Sequence, residues 1–464
     1  MSLARPVDSM QMGVWSVKVA VIGGGSYLWA FGFARQFVKS VNLNGMNLVL
    51  MDIDPDALDI TSSAANIHNQ AHGSPIRIET TTNLDSALDG ANFVIVSIST
   101  GGLDAMRHDL EIPEKYGITH TVGDTVGPGG WLRAVRNIPV FDDFGARMKR
   151  LCPDAWLINV SNPLTVLTRV PQRNHGIKTL GMCPGVENAV RTLAKLVGAP
   201  SKARLDFAVT GIDHGSWFTS LHADNIDVLQ KLKYMEYCRS DDKLPAQVMS
   251  DDPLAETAYF RASFAIWREI GYLPSITDRH EVENWPWFLT KGERTLPYGI
   301  KRTSVKERED WRSTKKAELE EYIRTGNDSF GELGHGDDPV VEVIESLMGN
   351  RSFTYASNYA NIGQIPGFPD GAVVETRCLI DGAGVHPICS PMPDILKVLV
   401  LPHVLRQETI IDIALTGSFD ELVALVLTDP LCSNVPVDQC RDMVKEMLVA
   451  NQEFIQNPNL LVGF

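Results

Sequence analysis

A thiol and an imidazole are the side chains here with the most chemistry to offer. Cys183 sits in Met182-Cys183-Pro184-Gly185, and His214 in Gly211-Ile212-Asp213-His214-Gly215-Ser216-Trp217. Thiolate and neutral imidazole are ligands that divalent transition metals accept, so the pair could hold such an ion. The plainer alternative is a small buried hydrophobe and a hydrogen-bonded core histidine. Asp124, in Gly123-Asp124-Thr125-Val126-Gly127-Pro128-Gly129-Gly130, could be a general acid or only a turn residue. Asn162, in Asn159-Val160-Ser161-Asn162-Pro163, could bind a ligand or only initiate a turn. Each segment follows or ends an apolar stretch. Open α/β sheets bind ligands at the carboxyl ends of their strands, so the four should converge on one crevice.

A second constellation precedes them. Gly23-Gly24-Gly25-Ser26 follows the apolar run Val17–Ile22 and opens a helical stretch from Tyr27 to Val41. Glycines there let the backbone approach a pyrophosphate, whose charge rests on the helix N-terminus. The spacing is not GxGxxG, and a glycine-rich turn occurs in any α/β fold. Asp52 adds to the signal by closing the next strand, Leu48–Met51, where an acid binds the adenosine ribose and favours NAD over NADP. Asp54 is the alternative acid. Ser99, Thr100 and Gly101 follow the strand Phe93–Ile98 and would line the same crevice, or serve as ordinary turn residues.

These residues need a parallel sheet behind them. Further apolar runs at Trp156–Val160 and Thr179–Met182 alternate with helical patterns at Pro55–Gln70, Leu132–Leu151 and Gly185–Val197. That alternation predicts a doubly wound, Rossmann-type parallel sheet covered on both faces. Beyond residue 200 the pattern becomes α+β. Asp206–Ile212 reads as a strand, Asp252–Glu269 and Ser304–Thr325 as helices, 326–338 and Asn361–Asp370 as loops, and Pro391–Leu448 as mostly helical. The expected division is an NAD-binding domain over 16–200 and a substrate and catalytic domain over 201–464.

Composition limits the partners. The chain has 464 residues, 44% hydrophobic and 21% charged, enough for a substantial core in each part. A net charge of -15 disfavours nucleic acid and anionic membranes. Seven cysteines without CxxC spacing suit a reducing compartment. No apolar run is long enough to span a bilayer, and the lead through Trp15 lacks the pattern of a signal peptide, so the expected location is cytoplasmic.

Taken together, GGGS, GDTVGPGG, NPLTVLT, Cys183, GIDHGSW, DRHEVENWPWF and IPGFPDGAVVE resemble glycoside hydrolase family 4, in order along most of the chain. The resemblance implies a fold like that of lactate and malate dehydrogenases. It also implies glycoside hydrolysis with NAD and a divalent metal, usually manganese. In that chemistry a hydride leaves C3 of the sugar, the C2 proton becomes acidic, the aglycone is eliminated, water adds and the hydride returns. Cys183 and His214 match the metal ligands, Asp124 a proposed acid, Asn162 a substrate contact and Asp278 a proposed base. Tyr272 is the nearby tyrosine where some members use one as base. Arg107, Arg133 and Arg136 could clamp a substrate carboxylate, or lie on solvated helix faces. A sugar substrate and a homodimer or homotetramer are implied.

One position departs from the family pattern. Phosphoglycosidases carry Asp or Asn after the metal cysteine, and other members His, whereas Pro184 stands here. Proline has no titratable group and no N–H. Phosphosugars are therefore disfavoured, and the stretch Arg107–Gly117 is most similar to the α-galacturonidase branch. Two rivals remain at this point. One is a 2-hydroxy-acid dehydrogenase of the same fold, with His214 as proton shuttle. The other is a nucleotide-binding protein without catalysis, with Pro184 as the sign of lost function.

Overall fold

Val19 and Val21 face one side of the first strand, Ala20 and Ile22 the other, and both sides are buried. Strands β2 (Asn47–Met51) and β4 (Phe93–Val96) repeat the alternation. Leu48 and Leu50, with Phe93 and Ile95, face one core; Val49 and Met51, with Val94 and Val96, face the other. A strand apolar on both faces must be sandwiched between helical layers. Burying each such side chain contributes ~1.5–3 kcal/mol. The structure, a computed structural model, describes residues 17–235, 260–289, 298, 300, 302–327 and 339–462.

Strands β1 (Lys18–Ile22), β2, β3 (Arg77–Thr81), β4, β5 (Trp156–Asn159) and β6 (Lys178–Met182) are all parallel, in the order β3-β2-β1-β4-β5-β6. This is the doubly wound dinucleotide-fold order. Helices α1 (Trp29–Lys39) and α2 (Pro55–Ala71) cover one face; α3 (Leu84–Leu88), α5 (Gly127–Leu151) and α6 (Leu164–His175) cover the other. α4 (Gly102–Glu114) follows β4, and α7 (Gly185–Leu196) follows β6.

The same sheet continues without a break. β6 pairs antiparallel with β11 (Phe353–Ala360), then come β12 (Val373–Asp381), β7 (Leu205–Gly211), β8 (Trp217–Ala223) and β10 (Leu273–Pro274). β9 (Ile226–Asp227) adds to β8, and β13 (Gly384–Pro387) to β12. The glycine and proline segment Asn361–Asp370 is a loop, tied by the Asn361 amide to the carbonyls of Ile365 and Phe368.

Most expected elements are present with ends moved by a residue or two. The helix expected at Ser304 starts at Val305, with Ser304 and Glu307 forming a reciprocal cap. The helix expected over Asp252–Glu269 is described as Arg261–Ile270, and 252–259 lie outside the described residues. So do the lead through Trp15 and 328–338 of the expected loop. The C-terminal part is helical at Asp394–Thr416, Phe419–Leu427 and Val437–Ala450.

Parallel register decides which residues meet. Ile22 lies opposite Met51 and Val96, Val96 opposite Asn159, and Asn159 opposite Gly181. The segments after β1, β2, β4, β5 and β6 therefore emerge side by side along one edge.

Candidate functional site

The glycine turn forms because the backbones of Ser97 and Met51 and the side chain of Asp52 crowd it. A Cβ on Gly23 (φ +95°) would lie 2.0 Å from the Ser97 carbonyl oxygen, and one on Gly24 2.8 Å from the Met51 nitrogen. A Cβ on Gly25 would lie 2.9 Å from Asp52 Oδ2. The amides of Gly23 and Gly24 donate to the Met51 carbonyl, and that of Gly25 donates to Asp52 Oδ2 at 2.7 Å. Ser26 Oγ accepts from the Trp29 amide at the entrance of α1. Asp52 thus belongs to the turn. Asp54 instead caps α2, accepting from the amides of Asp56 and Ala57. After β4, the Ser99 carbonyl accepts from the Gly102 amide, and Thr100 is fixed by its amide and hydroxyl donating to Asn137 Oδ1.

At the next mouth of the sheet, Cys183 Sγ lies 3.6 Å from His214 Nε2. Cys183 leaves β6 with its carbonyl held by the Tyr355 hydroxyl at 3.0 Å. His214 follows β7 with φ +60°, a left-handed conformation that costs a residue other than glycine ~1–3 kcal/mol. The Asn284 amide holds it there by donating to the His214 carbonyl at 2.6 Å. His214 Nδ1 is 2.8 Å from Thr125 Oγ1, and that hydroxyl donates to Asp124 Oδ1 at 2.9 Å. Since the hydroxyl proton goes to Asp124, Nδ1 must be the protonated nitrogen, and the Nε2 lone pair faces the thiol.

A metal fits these donors. Two ligand atoms each ~2.1–2.3 Å from one ion at a near-tetrahedral angle lie roughly 3.6 Å apart. The hydroxyl–carboxylate relay behind Nδ1 is the outer support that metal-bound imidazoles receive. Carboxylates stand close for a third position: Asp213 lies with Cys183 and His214, and Asp124 with His214 and His280, each set within 4.8 Å. The His280 ring stacks on His214 at 3.9 Å between centroids.

Electrostatics set the resting charges. Burial works to raise Asp124, but His280 and His214 in their protonated forms, with Arg133 and Arg308, outweigh it and hold the carboxyl well below its usual range. Asp124 is therefore ionised, the reverse of a resting acid. It accepts from Thr125 and, at 3.1 Å, from Asn162 Nδ2. Burial lowers His214, against the pull of Asp124, and lowers His280 further, so both imidazoles are neutral near pH 7. Arg133 Nε donates to the Asn162 carbonyl at 2.9 Å.

The structure thus gathers Asp124, Asn162, Arg133, Cys183 and His214, and separates others from them. Asp278 stands apart from that group. It is 1% exposed and closes the N-terminus of helix Arg261–Ile270, accepting from the amides of Ala262 and Ser263 and from the Ser263 hydroxyl. Its oxygens are spent on that helix rather than offered to a ligand. Arg136 is engaged elsewhere. Its guanidinium grips Asp109 through two bonds in a fully buried pair, with Nε donating to the Thr100 carbonyl. Arg107 is tied to Glu111 and Glu309 at the surface. Tyr272 packs against a cluster that includes Ile212 and Trp217.

Sequence reasoning misses Thr125, His280, Glu283, Arg279 and Arg308. Three of these lie inside the DRHEVENWPWF segment. Glu283 anchors the Asp124 loop, with Oε1 accepting from the amides of Thr121, Val122 and Gly123. A groove of about 660 Å³ between the helices Asp394–Thr416 and Phe419–Leu427 shares none of these residues. Among the described residues no helix is long and apolar enough to cross a membrane.

Comparison with known proteins follows the same lines. The Family 4 glycosyl hydrolase domain matches residues 18–199, and the C-terminal domain of that family matches residues 209–432. An α-galacturonidase of Thermoanaerobacterium saccharolyticum is 33% identical over 467 positions, covering 95% of this chain and 97% of its own. A putative glucosidase of Bacillus subtilis, lplD, superposes with a TM-score of 0.84 at 29% identity, over 93% of this chain and all of its own. A 6-phospho-α-glucosidase from gut microorganisms, solved in complex with NAD and Mn2+, gives a TM-score of 0.82 over 95% of this chain and 99% of its own. At 22% identity that likeness is one of fold.

Proposed function

The chain belongs to family 4 of the glycosyl hydrolases, and on that premise we propose that it cleaves an unphosphorylated α-uronide such as an α-galacturonide, with NAD and manganese bound. The observation that carries the reading is the 3.6 Å approach of Cys183 Sγ to His214 Nε2, with Nδ1 of the same ring committed to Thr125. An Nε2 turned toward a thiol is placed to hold a metal. It is poorly placed to shuttle protons for a hydroxy acid, and this disfavours the dehydrogenase reading.

NAD would rest on Gly23, Gly24, Gly25 and Ser26, with its adenosine ribose on Asp52 and its length along Ser99 and Thr100. Cys183 and His214 would hold the metal. When bound, NAD would supply a hydride acceptor and donor for the sugar, and the metal would supply Lewis acidity toward the neighbouring sugar oxygens.

The residues of the chain have their own tasks. Burial keeps His214 neutral, and the Thr125–Asp124 relay keeps it correctly turned. Asn162, braced by Arg133, offers its amide to a sugar hydroxyl. Asp124 starts as the charged member, accepts a sugar hydroxyl proton and can then return it as an acid. Pro184 stands at the cap of α7 with no side chain to meet a phosphate or a proton. A substrate without a phosphate agrees with this, as does the 33% identity to an α-galacturonidase.

The test is release of p-nitrophenol from α-galacturonide, α-glucuronide, α-glucoside and α-galactoside, with NAD and manganese, against samples with EDTA or with Cys183→Ser. Release from a uronide that needs both additions, and is lost with Cys183, supports the reading. NADH formation from a 2-hydroxy acid despite EDTA, with no glycoside cleaved, overturns it.

A further inference from the structure

Most arginines near the site have a partner. Arg136 grips Asp109, Arg107 pairs with Glu309, Arg302 with Glu114, and Arg133 donates to the Asn162 carbonyl. Two do not. Arg308 has both Nε and a terminal nitrogen buried without a hydrogen-bond partner among the described residues, and Arg279 has its Nε in the same condition. Both act on Asp124, and Arg308 is also felt by Arg133. Thr121, just before Asp124, joins both segments, its hydroxyl donating to the Arg279 carbonyl and its own carbonyl accepting from the Thr303 amide ahead of Arg308, so both arginines come from segments tied to the loop that carries Asp124.

The nearby carboxylates do not satisfy them: Glu283 leaves its Oε2 without a hydrogen bond and forms none to either guanidinium, and its other oxygen, like those of Glu307 and Asp124, is engaged elsewhere. Glu283 gives Oε1 to three backbone amides, and His120 Nδ1 stands beside that same oxygen. Glu307 gives Oε2 to the amide and hydroxyl of Ser304 at the start of the helix that carries Arg308. Asp124 has Thr125 and Asn162. Arginine repels arginine here, since Arg279 lowers Arg308 and Arg308 lowers Arg133. A buried guanidinium with idle donors is costly unless an anion completes it. The planar fork suits a carboxylate, which it can bind through two parallel bonds, better than it suits a neutral hydroxymethyl group.

We propose that Arg308 and Arg279 form the seat for the carboxylate of the sugar, and so select a uronide over the corresponding neutral hexoside. This rests on the glycosidase reading above and adds to it the residues that read the substrate's charge. It also replaces Arg107 and Arg136, which have the right chemistry but are already paired. Arg308 comes from the helix Val305–Thr325 and Arg279 from Asp278–Glu281, so two separate elements close on the anion.

The experiment compares wild type, Arg308→Met, Arg308→Lys and Arg279→Met, as full chains with NAD and manganese. It measures kcat/KM on p-nitrophenyl α-galacturonide and α-galactoside, and calorimetric binding of galacturonate, galactose and NAD. Arg308→Met is expected to lose about 100-fold or more on the galacturonide and less than about threefold on the galactoside, in line with the loss of a charge-assisted bidentate contact. Arg308→Lys keeps the charge without the fork and is expected to lose about tenfold on the galacturonide alone. Galacturonate binding should fall in parallel, with galactose and NAD unchanged.

Equal losses on both sugars, or none, overturn the proposal. So does a loss of NAD affinity as large as that of galacturonate, since the arginines would then serve the phosphates of the cofactor. Wild type that turns over no uronide defeats the substrate assignment instead. In that case galacturonate binding that still depends on Arg308 sustains the anion seat, and binding that ignores Arg308 removes it.

Discussion

The hydroxyl of Thr125 lies 2.8 Å from His214 Nδ1 and passes its own proton to Asp124. Thr125 therefore fixes which nitrogen of His214 is free. Thr125→Val keeps the volume and removes the relay. Supports of this kind are worth about 10- to 100-fold in metal affinity. Titration of Mn2+ into the NAD-bound protein should show a weakening of that size, with little change in thermal midpoint. An affinity equal to wild type would mean that the hydroxyl only fills space.

The buried pair Arg136–Asp109 leads to a different expectation, because both side chains are fully buried and share two bonds, with Arg136 Nε going to the Thr100 carbonyl. Removing one partner strands a charge, so Asp109→Ala should cost about 3–5 kcal/mol in denaturant unfolding. Replacing both, as Arg136→Met with Asp109→Leu, should recover most of that. The folded fraction of the double variant should keep its affinity for galacturonate. If that affinity collapses although stability returns, Arg136 is a substrate residue after all.

How much of this could be read without coordinates depends on how local each relationship is. The glycine turn with Asp52, and the thiol and imidazole at strand ends, are legible because residue type and place in a strand–turn–helix unit nearly define them. Parallel register then brings them together. β3 is not legible, since Arg77–Thr81 is half exposed and weakly alternating. Nor is the course of the sheet through β11 and β12, which is set by long-range pairing. The partners of Asp278 and Arg136 are not legible either: their types suit catalysis or clamping, and Ser263 and Asp109 meet them only once the chain is folded. Arg308 is the converse. It sits on a polar helix that looks solvated, and its Nε and one terminal nitrogen are buried without a partner among the described residues.

Burial should leave a mark on stability against pH at Glu281. Burial pushes its carboxyl up to about 8, against a hydrogen bond from Trp285 and with a small addition from Asp278. The folded value lies above the unfolded one, so the native state holds a proton that the unfolded chain releases. Stability is then lost as pH rises from about 4.5, the unfolded value, toward about 8, and changes no further beyond it. The depressed histidines act in the opposite sense below their unfolded value near 6.5, which is why the comparison must be between variants. Glu281→Gln removes the titration and should gain on wild type by several degrees of thermal midpoint across that window, since each pH step of one between the two values is worth about 1.4 kcal/mol. A difference that stays constant from pH 4.5 to 8 would show that Glu281 carries no such proton.

Asp278 poses the sharpest choice between electrostatics and geometry. Burial raises its carboxyl to about 6, against the hydrogen bonds from Ser263, Ala262 and Arg261, and a value near 6 would suit a general base. Its hydrogen bonds argue otherwise, because both oxygens are held by the first turn of the helix Arg261–Ile270. A base must reach the proton it takes, and this carboxylate faces a helix end. Asp278→Asn keeps one acceptor and turns an N–H2 toward a donor, so it should cost about 1–3 kcal/mol of stability. The rate on a uronide, measured below the lowered melting point, should stay within about threefold of wild type. Loss of a true general base would remove about 10²–10⁴ from the rate with its pH dependence, and a fall of that size with the fold intact would return Asp278 to the catalytic residues.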